Sequence, residues 1–151
     1  MRLIRKRRRG TALVDTPSGI LVVSEDEKTY NLPGGAATNG ESWKEAALRE
    51  LEEETSLRAE RCTYLFDFRG RIQPDIKGGF FIDAHKVYLV EASGVAQPRS
   101  EIKNLAYINY PNPSLSYATK RIVEKYLKQK ATVNQAKYCN AKTALCRKGE
   151  T

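Results

Sequence analysis

The apolar positions of this chain fall into short runs broken by polar, glycine- and proline-containing segments. Thr11–Val14 and Ile20–Val23 flank DTPSG, whose Pro17, Ser18 and Gly19 predict a turn, so the two runs read as a hairpin. SEDEK at 24–28 reads as a polar loop, and Tyr30–Leu32 as a short strand leading into Pro33-Gly34-Gly35. Leu57–Arg71 alternates imperfectly, which assigns Tyr64, Phe66 and Phe68 to one face. Phe80–Val90 is rich in β-branched and aromatic residues, and with the loop QPDIKGG between them the two runs read as paired strands. SGVAQPRSE at 93–101 is another loop, and Leu105–Asn109 is a short last strand.

Helical spacing replaces alternation in two places. After Ser42, with Glu45 in the capping-box position, Ala47, Leu48, Leu51 and Thr55 form one stripe at about 100° per residue. Glu50 and Glu54 fall on the neighbouring stripe with Glu53 beside them, which predicts carboxylates at the border between core and solvent. Tyr117–Gln129 reads as a second amphipathic helix, with Ile122, Val123, Tyr126 and Leu127 apolar. Strands on both sides of one helix, and a helix at the end, predict an α/β domain with a mixed β-sheet between helical layers. That single domain spans residues 1–130. From about residue 131 the periodicity fades, and 131–151 reads as a basic tail or a loosely docked extension.

Composition narrows the picture. An apolar fraction of 40% suits a folded core, and no apolar run approaches the roughly 18 residues of a membrane span. The net charge of +8 is uneven: residues 1–10 carry six basic side chains and no acidic one, and 120–151 carry nine basic and two acidic. The segment 11–119 is net negative, with 11 basic and 16 acidic residues. The basic start reads as a solvated lead into the first strand, with a targeting arm as the alternative. Basic ends attract nucleic acid or anionic small molecules; no basic stripe interleaved with aromatics favours the former. Three cysteines, Cys62, Cys139 and Cys146, without a CxxC pair argue against a disulfide framework or a zinc site, and a reducing cytoplasm is expected. Oligomeric state is left open.

The segment with distinctive chemistry is GGAATNGESWKEAALRELEEETSL, from Gly34 to Leu57. Glutamates three and four apart share a helix face, and that much negative charge calls for neutralisation. A hard divalent cation with oxygen ligands, such as Mg2+, is one answer. A solvated helix with ion pairs from Arg49 to Glu45, Glu52 and Glu53 is the other.

The preceding glycines and the spacing resemble the signature of the Nudix (MutT-like) hydrolases. That pattern runs Gly, five residues, Glu, seven residues, Arg-Glu-apolar, one residue, Glu-Glu, one residue, Gly-apolar. Here it reads Gly35, Glu41, Arg49-Glu50-Leu51, Glu53-Glu54 and Ser56-Leu57, matching at eight of nine fixed positions over 23 residues. Ser56 stands where the family usually has glycine. LPGG and SEIKNLAYI also look like the family, so the resemblance extends loosely from about residue 10 to 130.

The resemblance implies a Nudix-type α/β/α sandwich and metal-dependent hydrolysis of a nucleoside diphosphate linked to another moiety, such as a nucleoside triphosphate or an ADP-sugar. It implies Mg2+, or Mn2+, held by Glu50, Glu53 and Glu54, with the Gly35 carbonyl as a further ligand. Arg49 would hold a glutamate in place, and Glu41 would close the loop or bind metal through water. For the general base, Glu101, Glu91 and Glu53 itself are candidates. Tyr30, Phe66, Phe68 and Tyr107 are candidates for stacking on a base, and Arg69 and Arg71 for touching phosphate. His85, the single histidine, receives no role. The rival readings are hydrolysis at an RNA 5′ end, held by the basic termini, and a non-catalytic nucleotide-binding regulator of the same fold.

Overall fold

The computed structural model describes residues 3–148, with side chains described through Asn140. The chain forms β1 (Ile4–Leu13), β2 (Asp15–Thr16), β3 (Gly19–Ser24), β4 (Gly34–Ala36), α1 (Trp43–Thr55), β5 (Arg58–Arg69), β6 (Gln73–Pro74), β7 (Phe80–Ser93), β8 (Asn104–Ile108) and α2 (Tyr117–Lys148). A five-stranded mixed sheet runs β4-β1-β7-β5, with β6 added on β7. β1 and β7 are parallel over ten residue pairs, and the other pairings are antiparallel. A second, antiparallel sheet has the order β2-β3-β8.

Two apolar clusters hold these layers. One joins Leu13, Val87 and Phe66 of the large sheet to Ile122, Val123 and Tyr126 of α2. The other joins Ala12, Tyr88 and Val90 to Ala47 and Leu51 of α1. The result is the expected α/β/α arrangement, with two sheets where one was predicted.

The basic start of the chain is not a lead into the first strand but most of that strand. Its alternation sorts the cations by face. Arg7, Arg9, Thr11 and Leu13 share the α2 side: Arg7 pairs with Asp83, Thr11 bonds His85, and Leu13 enters the first cluster. Arg8, Gly10 and Ala12 face α1, with Arg8 over the Trp43 ring. Gly10 is where α1 seats itself, because a Cβ there would run into the Trp43 carbonyl and the Ala47 amide.

Several other expectations are corrected. The turn at 17–19 is present, but β1 pairs with β4 and β7, not with β3. The chain leaves the large sheet after Leu13 and enters the second as β2, which pairs with β3. Tyr30–Leu32 makes isolated bridges, whereas Gly34 and Gly35, into which that segment leads, form β4 against β1. Tyr64 and Phe66 lie on opposite faces, because a bulge at Leu65 shifts the alternation by one: Tyr64 pairs with Tyr88 and Phe66 with Val87. Residues 131–148 continue α2, with every side chain from Lys128 to Asn140 exposed. Helix propensity carries this stretch without burial, which apolar periodicity does not report. Cys146 and residues 149–151 lie outside the described side chains.

α1 begins as its sequence predicts, with the Ser42 Oγ accepting from the Glu45 N–H at 3.0 Å. It ends at Ser56 in the left-handed region, φ 67°. Serine there costs about 1 kcal/mol relative to glycine. Two substitutions should therefore act in opposite directions in denaturant unfolding. Ser56→Gly should raise stability by up to about 1 kcal/mol, whereas Gly10→Ala should lower it by about 1–3 kcal/mol by pushing α1 off β1. An unchanged Gly10→Ala protein would show that the helix is not seated there.

Candidate active site

The carboxylate face of α1 is organised by one cation. The Arg49 Nε donates to Glu41 Oε2 at 2.7 Å and its Nη2 to Glu41 Oε1 at 3.1 Å, a two-point grip on the loop before the helix. Nη1 donates to Glu50 at 3.0 Å and to Glu53 at 3.1 Å, and Nη2 also reaches the Ala36 carbonyl at 3.2 Å. The Arg49 bonds, then the Thr38 N–H, hold the Glu41 carboxyl far below its ordinary value, at about 2. Its partner glutamates push the Arg49 pKa upward, with Glu41 the largest influence.

Glu54 sits differently. It is only 4% exposed, and its Oε1 accepts the Gly34 N–H at 3.2 Å. Burial, opposed by that N–H and reinforced by the adjacent Glu50 and by Glu101, pushes its pKa up to about 8. Glu50 reaches the same place from one turn earlier. A Cβ on Gly35 would collide with its carboxylate, so glycine is what lets this strand and this side chain meet. Carboxyls that share a buried place raise each other's pKa, and a cation there would lower the cost of ionising Glu54.

Glu50, Glu54, Gly34 and Gly35 form one wall of a cavity of about 800 Å3, within the range of small-molecule sites. Glu101 lines it too, its pKa lowered chiefly by the Ser100 hydroxyl. The floor crosses the large sheet to Arg9 of β1, Asp83 of β7 and Arg71 just beyond β5. Arg71 stacks on Tyr117 at 3.8 Å from the ring centre.

The structure thus brings together Glu50, Glu54, Gly35, Glu101 and Arg71 of the residues singled out in the sequence. Glu41 and Glu53 are placed on Arg49, outside the cavity wall, with Glu53 half exposed. Arg69, Tyr30 and Phe68 do not line the cavity. Phe68 packs into the α2-side core against His85, and the Tyr30 hydroxyl is bound by Asn104 at 2.6 Å. Glu91 pairs with Arg61 on an exposed strand end. The missed residues are Arg9, Asp83 and Tyr117. The alternation of RKRRRGTAL carried a signal for Arg9, since small Gly10 and Ala12 mark the helix side and leave Arg9 on the other.

Among the described residues, no three His, Cys, Asp or Glu side chains already form a metal cage. Mg2+ does not demand one, because it is commonly bound through one or two carboxylates plus substrate phosphates. Glu50, Glu54 and the glycine-lined strand beside them fit that requirement.

Comparisons with known proteins bear on the fold and the family. The family model described as NUDIX domain matches residues 5–122. A crystal structure of a nudix hydrolase family member from Chromobacterium violaceum is 34% identical, covering 87% of this chain and 91% of that one, with a TM-score of 0.68. The MutT NUDIX hydrolase from Burkholderia pseudomallei is 25% identical over 80% of this chain and 97% of its own, with a TM-score of 0.64. A Bacillus subtilis protein, provisionally named 8-oxo-dGTP diphosphatase YtkD, is 33% identical over 69 residues, which is 44% of each chain.

The Glu54 environment has a measurable consequence. A carboxyl whose pKa is higher in the folded chain binds more protons when folded. Its contribution to stability is therefore complete below about 4.5, the ordinary value, and is lost as pH rises through about 8. In EDTA, thermal stability should fall between these limits, and Glu54→Gln should flatten the profile. An unchanged profile in the variant would refute the assignment.

Proposed function

The chain belongs to the NUDIX family, and we propose that it is a Mg2+-dependent pyrophosphohydrolase acting on a nucleoside triphosphate. The observation that carries this reading is the convergence of Glu50 and Glu54 beside Gly34–Gly35 on the wall of a nucleotide-sized cavity. Mg2+, with Mn2+ as an alternative, would be held by Glu50 and Glu54 with the Gly35 carbonyl, and Glu53 would join on leaving Arg49. Such a cation supplies positive charge to the pyrophosphate oxygens and makes the attacking water more acidic.

The chain's own residues do the rest. Glu101, which lines the same cavity, would accept the proton of a water attacking phosphorus. Arg49 holds Glu41, Glu50 and the Ala36 carbonyl in fixed relation, so that the carboxylates are oriented before substrate arrives. The substrate preference rests on the relative named for 8-oxo-dGTP hydrolysis, which makes oxidised purine triphosphates the first candidates. ADP-sugars and RNA 5′-triphosphate ends belong in the same screen. A cytoplasmic location suits such substrates; among the described residues, no helix is long and apolar enough to cross a membrane.

The test is turnover of this panel with Mg2+, Mn2+ and EDTA. Nucleoside triphosphates should be cleaved to monophosphate and pyrophosphate only with metal, and absence of turnover on every pyrophosphate would end the proposal. Glu54→Gln and Glu53→Gln should each reduce kcat by about 100-fold or more, and Arg49→Gln by about 10- to 100-fold. Since Glu54→Gln should also be the more stable protein at pH 8, its lost activity is separable from misfolding.

A further inference from the structure

Arg9 lacks the partner its position calls for. Its neighbours on β1 are engaged: Arg5 pairs with Asp75 at 3.0 Å, and Arg8 donates to the Glu41 carbonyl at 3.2 Å and lies over Trp43. Arg7, on the same face as Arg9, grips both oxygens of Asp83 at 2.6 and 2.9 Å. That fork uses up the carboxylate nearest Arg9 along the facing strand. Directly in register with Arg9 stands His85, buried, bonded through Nδ1 to Thr11 at 2.9 Å. Burial, then the charge of Arg9, brings its pKa down to about 4, so it is neutral and offers no counter-charge. Arg9 itself is half-buried, lines the cavity, and makes no ion pair among the described residues.

A partly desolvated guanidinium without a counter-ion is costly unless an anion reaches it. The cavity is open to such an anion. Arg9 lies on β1, directly beside β4, which carries Gly35, and neighbouring strands are about 4.8 Å apart. An anionic group over β1 is therefore adjacent to one held at the Glu50–Glu54 end.

We propose that Arg9 is an anion-binding residue of this cavity, taking the phosphate next to the one held at the carboxylate end and so selecting substrates with a contiguous polyphosphate chain. This deepens the reading of the same site as a pyrophosphohydrolase. The guanidinium fork suits two phosphate oxygens at once, which a lysine cannot match.

The test is binding of inorganic tripolyphosphate to the full chain in EDTA, by calorimetry at near-physiological salt. The wild type should bind it, and Arg9→Gln should weaken binding about tenfold or more. Lys6→Gln removes the same charge from an exposed position on the opposite face of β1, outside the cavity, and should leave affinity nearly unchanged. Arg9→Lys should fall between, and it preserves the test if the glutamine variant does not fold. Equal losses in Arg9→Gln and Lys6→Gln, or no binding by the wild type, would overturn the subsite. With Mg2+, Arg9→Gln should raise KM for a nucleoside triphosphate more than it lowers kcat. Arg9-dependent tripolyphosphate binding without turnover of any pyrophosphate would refute the hydrolase reading and leave the subsite standing.

Discussion

The guanidinium of Arg49 is the interaction on which the site depends. Three glutamates within reach of one another would repel, and a helix carrying them would splay its side chains toward water. Arg49 answers that repulsion with bonds to Glu41, Glu50, Glu53 and the Ala36 carbonyl. Its planar fork ties the loop before α1, the strand β4 and the helix into one unit, which a lysine's point charge could not do with fixed directions. The charge that would otherwise unsettle the helix becomes the means of holding its carboxylates still.

That grip works only because the helix lies unusually close to the sheet. At Gly10 the backbone of β1 meets the first turn of α1, and at Gly35 the backbone of β4 meets the Glu50 carboxylate. The two approaches set the depth at which Glu54 ends up: buried, bonded to the Gly34 amide, and crowded by Glu50. The fold holds that carboxyl in a place where, with the protein's own groups alone, it favours a proton. Local instability is concentrated where a cation would relieve it, while the surrounding apolar clusters supply the stability that tolerates it.

The helix and the ion pairs along it were legible in the sequence because both depend on local spacing. Ser42 with Glu45, and Arg49 among its glutamates, are separated by fixed numbers of residues on one element. The sandwich was legible from the alternation of runs. What depended on pairing between distant strands was not. Nothing within Leu57–Arg71 announces that Leu65 bulges and puts Tyr64 and Phe66 on opposite faces. Nor does Gly34-Gly35 announce itself as a strand, since glycine is a poor strand former that serves here because β1 and Glu50 come so near. Tyr30 and Phe68 looked like substrate platforms for the same reason: an aromatic reads alike whether it faces a cavity or a core.

The charge pattern shows what tertiary structure adds. Along the chain, a basic end and an acidic body look like separate regions. In the fold, the basic start is the strand beside β4, and the acidic helix seats itself directly on it at Gly10. Alternation then gives the cations different roles. Arg8 covers the Trp43 ring on the helix side, while Arg7 neutralises Asp83 and Arg9 faces the cavity on the other. A cavity with carboxylates at one wall and a guanidinium on the adjoining floor presents opposite charges in sequence to whatever enters. A polyphosphate bound partly through a cation and partly through its own bare oxygens is the kind of molecule that matches both.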